Sequence, residues 1–261
     1  MNTSDDSRAT ADPSPQPVAL VTGSGAPRVG QAIARTLAAR GYRLVVHANR
    51  SRHAAAELVE EFRAAGHEAL ALAAELRDET AVAAMFRQTL EHFGRIDALV
   101  NAAAIWESKR LEDVTADDVR RHFEINTVGT FLCCQHAGLA MVAQPQGGAI
   151  VNLGDWAVVR PYLNYAAYFP SKGAIEALTR SFAVELAHRN PRVRVNAVLP
   201  GPVMLPADLP VAEKQAALDQ TLVRREGSPQ NVAHAVLFLL ENDFVTGVCL
   251  PVDGGRSVYS R

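Results

Sequence analysis

Along most of the chain, short apolar runs alternate with longer stretches in which apolar residues recur every three or four positions. "VALVT" (Val18 to Thr22) is an unbroken apolar run ending in glycines, the pattern of a strand buried on both faces. "VGQAIARTLAARG" follows at helical spacing, with Gly41 as its stop. Then come strand "RLVVHA", helix "AAAELVEEFRAAG", strand "EALALAAEL", helix "TAVAAMFRQTLEHFG" and strand "IDALVNAAA". Helical segments around Ala116 to Gln144 lead to strand "GAIVNLG", the long helix "AAYFPSKGAIEALTRSFAVELAHR", strand "VRVNAVLPG", a helix near Gln230 to Glu241, and "GVCLPVDGG". Strands separated by helices of this length predict parallel βαβ units with right-handed crossovers. The fold class is therefore α/β: one domain, residues 18–261, built on a doubly wound sheet of about seven strands with helices on both faces. Residues 201 to about 226 break the pattern, with Pro202, Pro206 and Pro210 ahead of a charged amphipathic stretch. They predict a substrate lid above the carboxyl edge of the sheet.

Composition narrows the classes. Of 261 residues, 48% are hydrophobic and 21% charged, which suits a globular protein with a real core. A net charge of −2 gives no electrostatic reason to expect nucleic acid or an anionic membrane as partner. Three cysteines, two adjacent (Cys133, Cys134), form neither a disulfide framework nor a metal cluster and fit buried thiols in a reducing compartment, so no metal is expected. Residues 1–17 are polar and proline-containing, without the apolar centre of a signal peptide, and read as a disordered tail. A cytoplasmic protein acting on a small molecule is the expectation.

The first strand–turn–helix unit, "VALVTGSGAPRVGQAIA", has the form of a dinucleotide site. Glycines (Gly23, Gly25, Gly30) let the backbone approach a pyrophosphate, and the helix N-terminus after Arg28, at Val29, offers unpaired N–H groups. At the end of the second strand an NAD-preferring site carries an acid for the ribose 2′-hydroxyl. Here the stretch is "VVHANRSR": His47, Asn49, Arg50 and Ser51, with no carboxylate before Glu57. Arg50, with Ser51 and Arg28, suits a 2′-phosphate. NADPH is the expected cofactor.

A second constellation lies in "LGDWAVVRPYLNYAAYFPSKG". Tyr168 and Lys172 stand four residues apart, on one face of a helix, and Asp155 stands thirteen before the tyrosine.

Taken in order, "TGSGAPRVG", "VNAAA", "INTVGTF", "YFPSK", "LPGPV" and "VDGG" resemble the short-chain dehydrogenase/reductase family over residues 17–255, with its Rossmann-type fold. Within it, Arg28, "HANRS", Asp155, Tyr165 and Trp106 resemble the pteridine-reducing branch. The resemblance implies roles position by position. Tyr168 gives its proton to the substrate as hydride arrives. Lys172 lowers the tyrosine's pKa and bonds the nicotinamide ribose. Asn126 bends its helix and anchors a water. Asn101, Ala102 and Ala103 lie under the cofactor, Glu75 and Leu76 lie near its adenine, and Pro200, Gly201 and Val203 flank its nicotinamide. It also implies a homotetramer. The glycine turn departs from the family pattern in being about one residue longer, with Pro27 near a usual glycine.

Asp155 departs from most of the family, where serine donates to the substrate carbonyl. An ionised carboxylate only accepts, and at an effective dielectric near 20 a like charge about 4 Å away costs roughly 4 kcal/mol. Either Asp155 is protonated, or the substrate presents N–H groups at a reducible C=N bond, as a pterin does. The leading expectation is an NADPH-dependent reductase of pteridine-type substrates, with Trp106 stacking the ring and Tyr165 bonding or bracing Asp155; Trp156 and Tyr162 line the pocket or pack. The alternatives are an NADPH-dependent carbonyl reductase of 3-oxoacyl compounds or quinones, for which Arg224 and Arg225 offer a small basic patch, and a non-catalytic nucleotide-binding regulator. The terminal "RSVYSR" has the reach to enter a neighbouring subunit's pocket.

Overall fold

A computed structural model of the chain describes residues 16–258; the expected N-terminal tail lies outside them except for Gln16 and Pro17. Seven strands form one parallel sheet: β1 (Val18–Thr22), β2 (Arg43–Ala48), β3 (Ala69–Ala73), β4 (Ala98–Asn101), β5 (Gly148–Leu153), β6 (Val193–Pro200) and β7 (Cys249–Val252). Their order is β3-β2-β1-β4-β5-β6-β7, as the alternation of strand and helix predicts. β1 pairs with β2 on one side and β4 on the other, so the order reverses at the carboxyl ends of β1 and β4, the usual ligand crevice of such sheets.

The eight α-helices among the described residues are α1 (Val29–Ala39), α2 (Arg52–Ala64), α3 (Glu79–Phe93), α4 (Ala116–His122), α5 (Gly129–Ala143), α6 (Tyr168–Arg189), α7 (Val211–Asp219) and α8 (Pro229–Glu241). Side chains alternate across the strands and sort the core into two layers. Ala19 and Val21 pack with Leu37 of α1, Leu58 of α2 and Val236 of α8. Val18 and Leu20 pack on the other face with Met85 of α3, Leu132 of α5 and Leu186 of α6.

Two helix features place the site. Between α4 and α5 the helix runs through six residues of π-helix, Phe123–Val128. Asn126 sits in that stretch because its side chain is clamped to the backbone of Ile105, accepting from the N–H (2.8 Å) and donating to the carbonyl (3.0 Å). The helix α6 begins at Tyr168 and carries Pro170 in its first turn, where a missing N–H costs no intrahelical bond.

Arg194 on β6 is a large polar commitment in the core. Its guanidinium donates to the carbonyls of Leu239 (2.7 Å), Leu240 (2.6 Å) and Val245 (3.1 Å), closing the C-terminus of α8. Replacing it with methionine keeps the stem and strands the Leu239 and Leu240 carbonyls, while Val245 keeps its bond from Asn196 Nδ2 (2.8 Å). The expected loss is about 3 kcal/mol of unfolding free energy in urea; a loss under about 1 kcal/mol would mean that water replaces the guanidinium.

Candidate active site

The carboxyl ends of β1, β4 and β5 stand in register, with Thr22 opposite Asn101 and Asn101 opposite Asn152. The Thr22 hydroxyl accepts from the N–H groups of Ala102 (2.9 Å) and Ala103 (3.1 Å), turning the chain out of β4 directly beneath the glycine turn. Asn101 donates to Asn152 (2.9 Å) in the buried sheet end. Above this edge opens a cleft of about 1100 Å³. It is lined by Gly23, Gly25, Arg28, Val29, Gly30, His47, Asn49, Arg50, Ser51, Glu75, Leu76, Ala102 and Ala103 at one end, and by Trp106, Asp155, Tyr165, Tyr168, Lys172, Pro200, Gly201 and Val203 at the other. Asn101 and Asn126 support the walls from behind: both side chains are buried.

His47 is a bracket of the glycine turn. Its Nδ1 accepts from the Gly23 N–H (3.0 Å), its carbonyl accepts from Ser24 (3.1 Å) and Gly25 (3.3 Å), and its Nε2 faces the Ala74 carbonyl at 3.0 Å. An acceptor at Nδ1 puts the proton on Nε2, and burial pushes the ring's pKa down, keeping it neutral. The imidazole is thus spent on backbone, and the N–H groups of residues 23–25 are spoken for. Those of Val29 and Gly30, in the first turn of α1, have no intrahelical acceptor and face the cleft.

The walls fit a dinucleotide. A Cβ on Gly23 would stand 2.8 Å from Ala103 Cα, with φ at +66°, and one on Gly30 would stand 2.7 Å from the Gly23 carbonyl oxygen, so both close approaches need glycine. Among the described residues Arg28 and Arg50 make no ion pair, which leaves two cations beside Ser51 for a phosphate. Glu75 accepts from Asn49 Nδ2 (2.9 Å), which holds both on the cleft wall.

At the other end, Tyr168 Oη and Asp155 Oδ2 are 2.7 Å apart. Asp155 Oδ1 accepts from the Ala157 N–H (2.8 Å), because Asp155 caps the short 3-10 turn Trp156–Val158. Lys172 Nζ donates to the Leu153 carbonyl at 2.5 Å. Asn126 Nδ2 donates to Ser171 Oγ (3.1 Å), and Ser171 donates to the Tyr168 carbonyl (2.6 Å), tying the π-helix to the first turn of α6.

Burial governs the charges. It raises the Asp155 pKa, against the opposing pull of the Ala157 N–H, the Tyr168 hydroxyl and Lys172. It draws Lys172 down to about 8, with Asp155 resisting. Tyr168 is held far above the ordinary phenol range by burial first and by the neighbouring carboxylate second. The family resemblance implies a tyrosine made more acidic by Lys172. In this chain the acid beside it works the other way.

The aromatics differ from expectation in one respect. Tyr165 does not brace Asp155; its hydroxyl pairs with Ser108. Its ring stacks on Trp106, with centroids 4.9 Å apart and 12° between planes. Trp156 and Tyr162 both line the cleft. Sequence reasoning passed over Thr22, Ser171 and Ser108, whose hydroxyls meet partners far along the chain. The C-terminal segment, which has the reach to enter a neighbouring subunit's pocket, begins with Arg256, a lining residue of this chain's own cleft; residues 259–261 lie outside the described region. Among the described residues no cluster suits a metal ion, and no helix is long and apolar enough to cross a membrane.

Residues 26–257 match a family model described as "Enoyl-(Acyl carrier protein) reductase". The chain belongs to the short-chain dehydrogenase/reductase family. Similar members include versicolorin reductase 1 of Aspergillus parasiticus, 34% identical over 91% of this chain and 95% of the relative. The human 3-oxoacyl-[acyl-carrier-protein] reductase is also 34% identical, over 88% of this chain and 94% of its own. Among solved structures, a blue fluorescent protein from a metagenomic library in complex with NADPH superposes with a TM-score of 0.83 at 33% identity, covering 92% of this chain and 97% of that one. As a family member with this site, the chain is an NAD(P)-dependent oxidoreductase, which sets aside the non-catalytic regulator. The human relative is named for a 3-oxoacyl substrate, and none of these three is named for a pteridine.

Proposed function

We propose that this short-chain dehydrogenase/reductase is an NADPH-dependent carbonyl reductase, of the kind that takes 3-oxoacyl compounds or quinones. The contact of 2.7 Å between Asp155 and Tyr168 carries this reading. Tyr168 is buried and Asp155 partly buried, and both hold their protons above the ordinary pH range for their type. A tyrosine cannot give up its proton beside a fixed anion without setting two negative charges against each other. With Asp155 neutral, the difficulty disappears. Tyr168 Oη donates to Asp155 Oδ2, and Oδ1 accepts from the Ala157 N–H; in the proposed step the acid proton lies on Oδ2 and the phenolic proton turns from Asp155 to the substrate oxygen.

A nicotinamide held by Lys172, Pro200 and Gly201 in this cleft would supply the hydride to the carbonyl carbon. As the C=O double bond opens, Tyr168 passes its proton to the oxygen. Asp155 Oδ2–H then moves to Tyr168 Oη, and the carboxylate regains a proton from solvent. Lys172, charged below about pH 8, offsets the carboxylate left behind. Arg28, Arg50 and Ser51, with no carboxylate at the end of β2, support NADPH over NADH. The relatives named as carbonyl and 3-oxoacyl reductases support the substrate class. Residues 201–226 serve as the lid, with Met204, Leu205 and Leu209 lining the cleft. Exposed Val128, Phe131 and Leu139, together with Val184 on α6, supply apolar faces for a homotetramer.

A pteridine-type substrate remains the second reading, supported by Asp155 as an acceptor for N–H groups and by the exposed edge of the Trp106–Tyr165 stack. Steady-state oxidation of NADPH and NADH with acetoacetyl thioester, a quinone and dihydrobiopterin separates them. The carbonyl reading expects turnover of the first two, NADPH preferred, falling as pH rises through the elevated Asp155 pKa. Asp155→Ser should lose that falling limb and keep carbonyl turnover. Turnover of dihydrobiopterin alone would overturn the carbonyl reading in favour of the second.

A further inference from the structure

Arg256 follows β7 in the segment "VDGGR", and its side chain folds back into the substrate end of the cleft. The guanidinium carbon lies 4.7 Å from the centroid of the Trp156 ring. Nη1 donates to the Ala217 carbonyl in α7, and Nη2 donates to Gln220 Oε1 just beyond that helix (3.0 Å). Nε is buried without a partner. The Arg256 carbonyl is held by Arg160 Nη1 (2.9 Å), which fixes the backbone from which the side chain springs.

The other cations of the cleft have assignments. Arg28 and Arg50 stand at the nucleotide end. Arg121 is paired with Glu107 through two bonds of 2.6 and 2.8 Å, Arg77 lies 3.6 Å from Glu75 and Glu124, and Lys172 is at the reacting end. Among the described residues neither Lys172 nor Arg256 has a carboxylate within ion-pair reach, but Lys172 is committed to the reacting end; the acceptors of Arg256 are a carbonyl, an amide and an aromatic face. Burial, and then the charge of Arg160, disfavour its charged form. A guanidinium drawn partly out of water with only neutral partners is a charge awaiting its counterion. Trp156 directly follows Asp155 in the chain, so one side of the cleft presents the acid of the proton relay and, next along, a cation seated on that tryptophan.

We propose that Arg256 is a specificity-determining residue that selects substrates carrying a carboxylate remote from the reducible group, the carboxylate pairing with Arg256 while the reducible group meets Tyr168. This deepens the reductase reading and rests on it. A neutral substrate would leave the guanidinium with neutral acceptors alone; an anionic one supplies its counterion and turns the reacting end toward the tyrosine. Because Arg256 also bonds α7, which has no buried residue of its own, a bound carboxylate would draw on the same guanidinium that holds that helix over the cleft.

The test uses the full chain with 4-oxo-4-phenylbutanoate and its methyl ester. Kinetics with NADPH give the ratio of the two KM values, and quenching of tryptophan fluorescence with NADP⁺ present gives the ratio of the two dissociation constants without turnover. The expected ratios favour the acid by about 10-fold in the wild type, the equivalent of one modest charge-assisted contact. They should collapse to about 1 in Arg256→Gln, which keeps a donor for the α7 carbonyl, and recover in Arg256→Lys. Equal affinity for acid and ester in the wild type overturns the proposal. So does an unchanged ratio in Arg256→Gln, even if both constants worsen together, because that is the behaviour of a residue that only fastens α7. Preference for the acid in the binding ratio without NADPH oxidation supports the role of Arg256 and counts against the carbonyl reading instead.

Discussion

Tyr168→Phe should lower kcat by about 10²- to 10⁴-fold, the range that a positioned proton donor supplies, while leaving NADPH affinity within about two-fold. The ring would stay where it is, because it packs against Phe169 (centroids 5.3 Å apart) and against His122 (6.2 Å). What vanishes is the oxygen that bonds Asp155 and, in the proposed step, gives its proton to the substrate. The relay makes a further demand on this variant. With no phenol to pass its proton through, Asp155 is left as a partly buried acid bonded by Ala157 alone, so any residual reduction should track the protonated carboxyl and fall with rising pH. Steady-state rates across pH, beside a fluorescence titration with NADPH, read both effects. Residual activity within ten-fold of wild type would remove Tyr168 from the role of donor.

Lys172→Met should cost turnover and change how stability depends on pH. The amine is buried, donates to the Leu153 carbonyl, and has its pKa drawn from 10.5 to about 8. Between those two values the unfolded chain holds a proton that the native chain has released. The unfolded state therefore binds more protons there, and the wild type gains stability as pH rises through the window, by on the order of 3 kcal/mol for a shift of this size. Below pH 8 both states are protonated and the burial cost is carried in full. Methionine has no proton to release. Cys133, Cys134 and Tyr168, whose pKa values are raised, push the other way at high pH in both proteins and cancel in the comparison. Urea unfolding of both at pH 7.5 and 10 should show the wild type gaining on the variant. Parallel curves would mean that the buried amine keeps its ordinary pKa.

Strand cores and helix faces were legible because burial writes its period directly into the sequence: β1 is Val18–Thr22 as the apolar run predicts. The ends were not, because side chains from elsewhere cut them. The apolar run "IDALVNAAA" reads as strand to Ala104, yet β4 stops at Asn101, where the Thr22 hydroxyl claims the next two N–H groups. The third strand reads as far as Leu76 and stops at Ala73, where His47 takes the Ala74 carbonyl. The helix read from Ala166 starts at Tyr168, since the Tyr165 carbonyl collects the N–H groups of both Tyr168 and Phe169 in a turn. Spacing brings Tyr168 and Lys172 together; that Asp155 stands beside them is implied by the family resemblance, not by the interval. Nothing in spacing reveals that Tyr165 bonds Ser108, or that Arg256 reaches α7 and Trp156. Such contacts depend on where two distant segments cross, and only the folded chain holds that information.

The bracket formed by His47 divides the cleft into two kinds of surface. One residue fastens three consecutive N–H groups of the glycine turn without any ligand's help, so the nucleotide meets a seat already set and little conformational freedom remains to be lost on docking. The opposite wall is made of another material: α7 contributes no buried side chain and is moored by a few polar contacts. Tight, shape-exacting recognition is thereby confined to the molecule that never changes from one turnover to the next. Variety is left to the other wall, where a descendant of this chain can accept a new substrate by re-mooring one short helix, without disturbing the half that carries its redox partner.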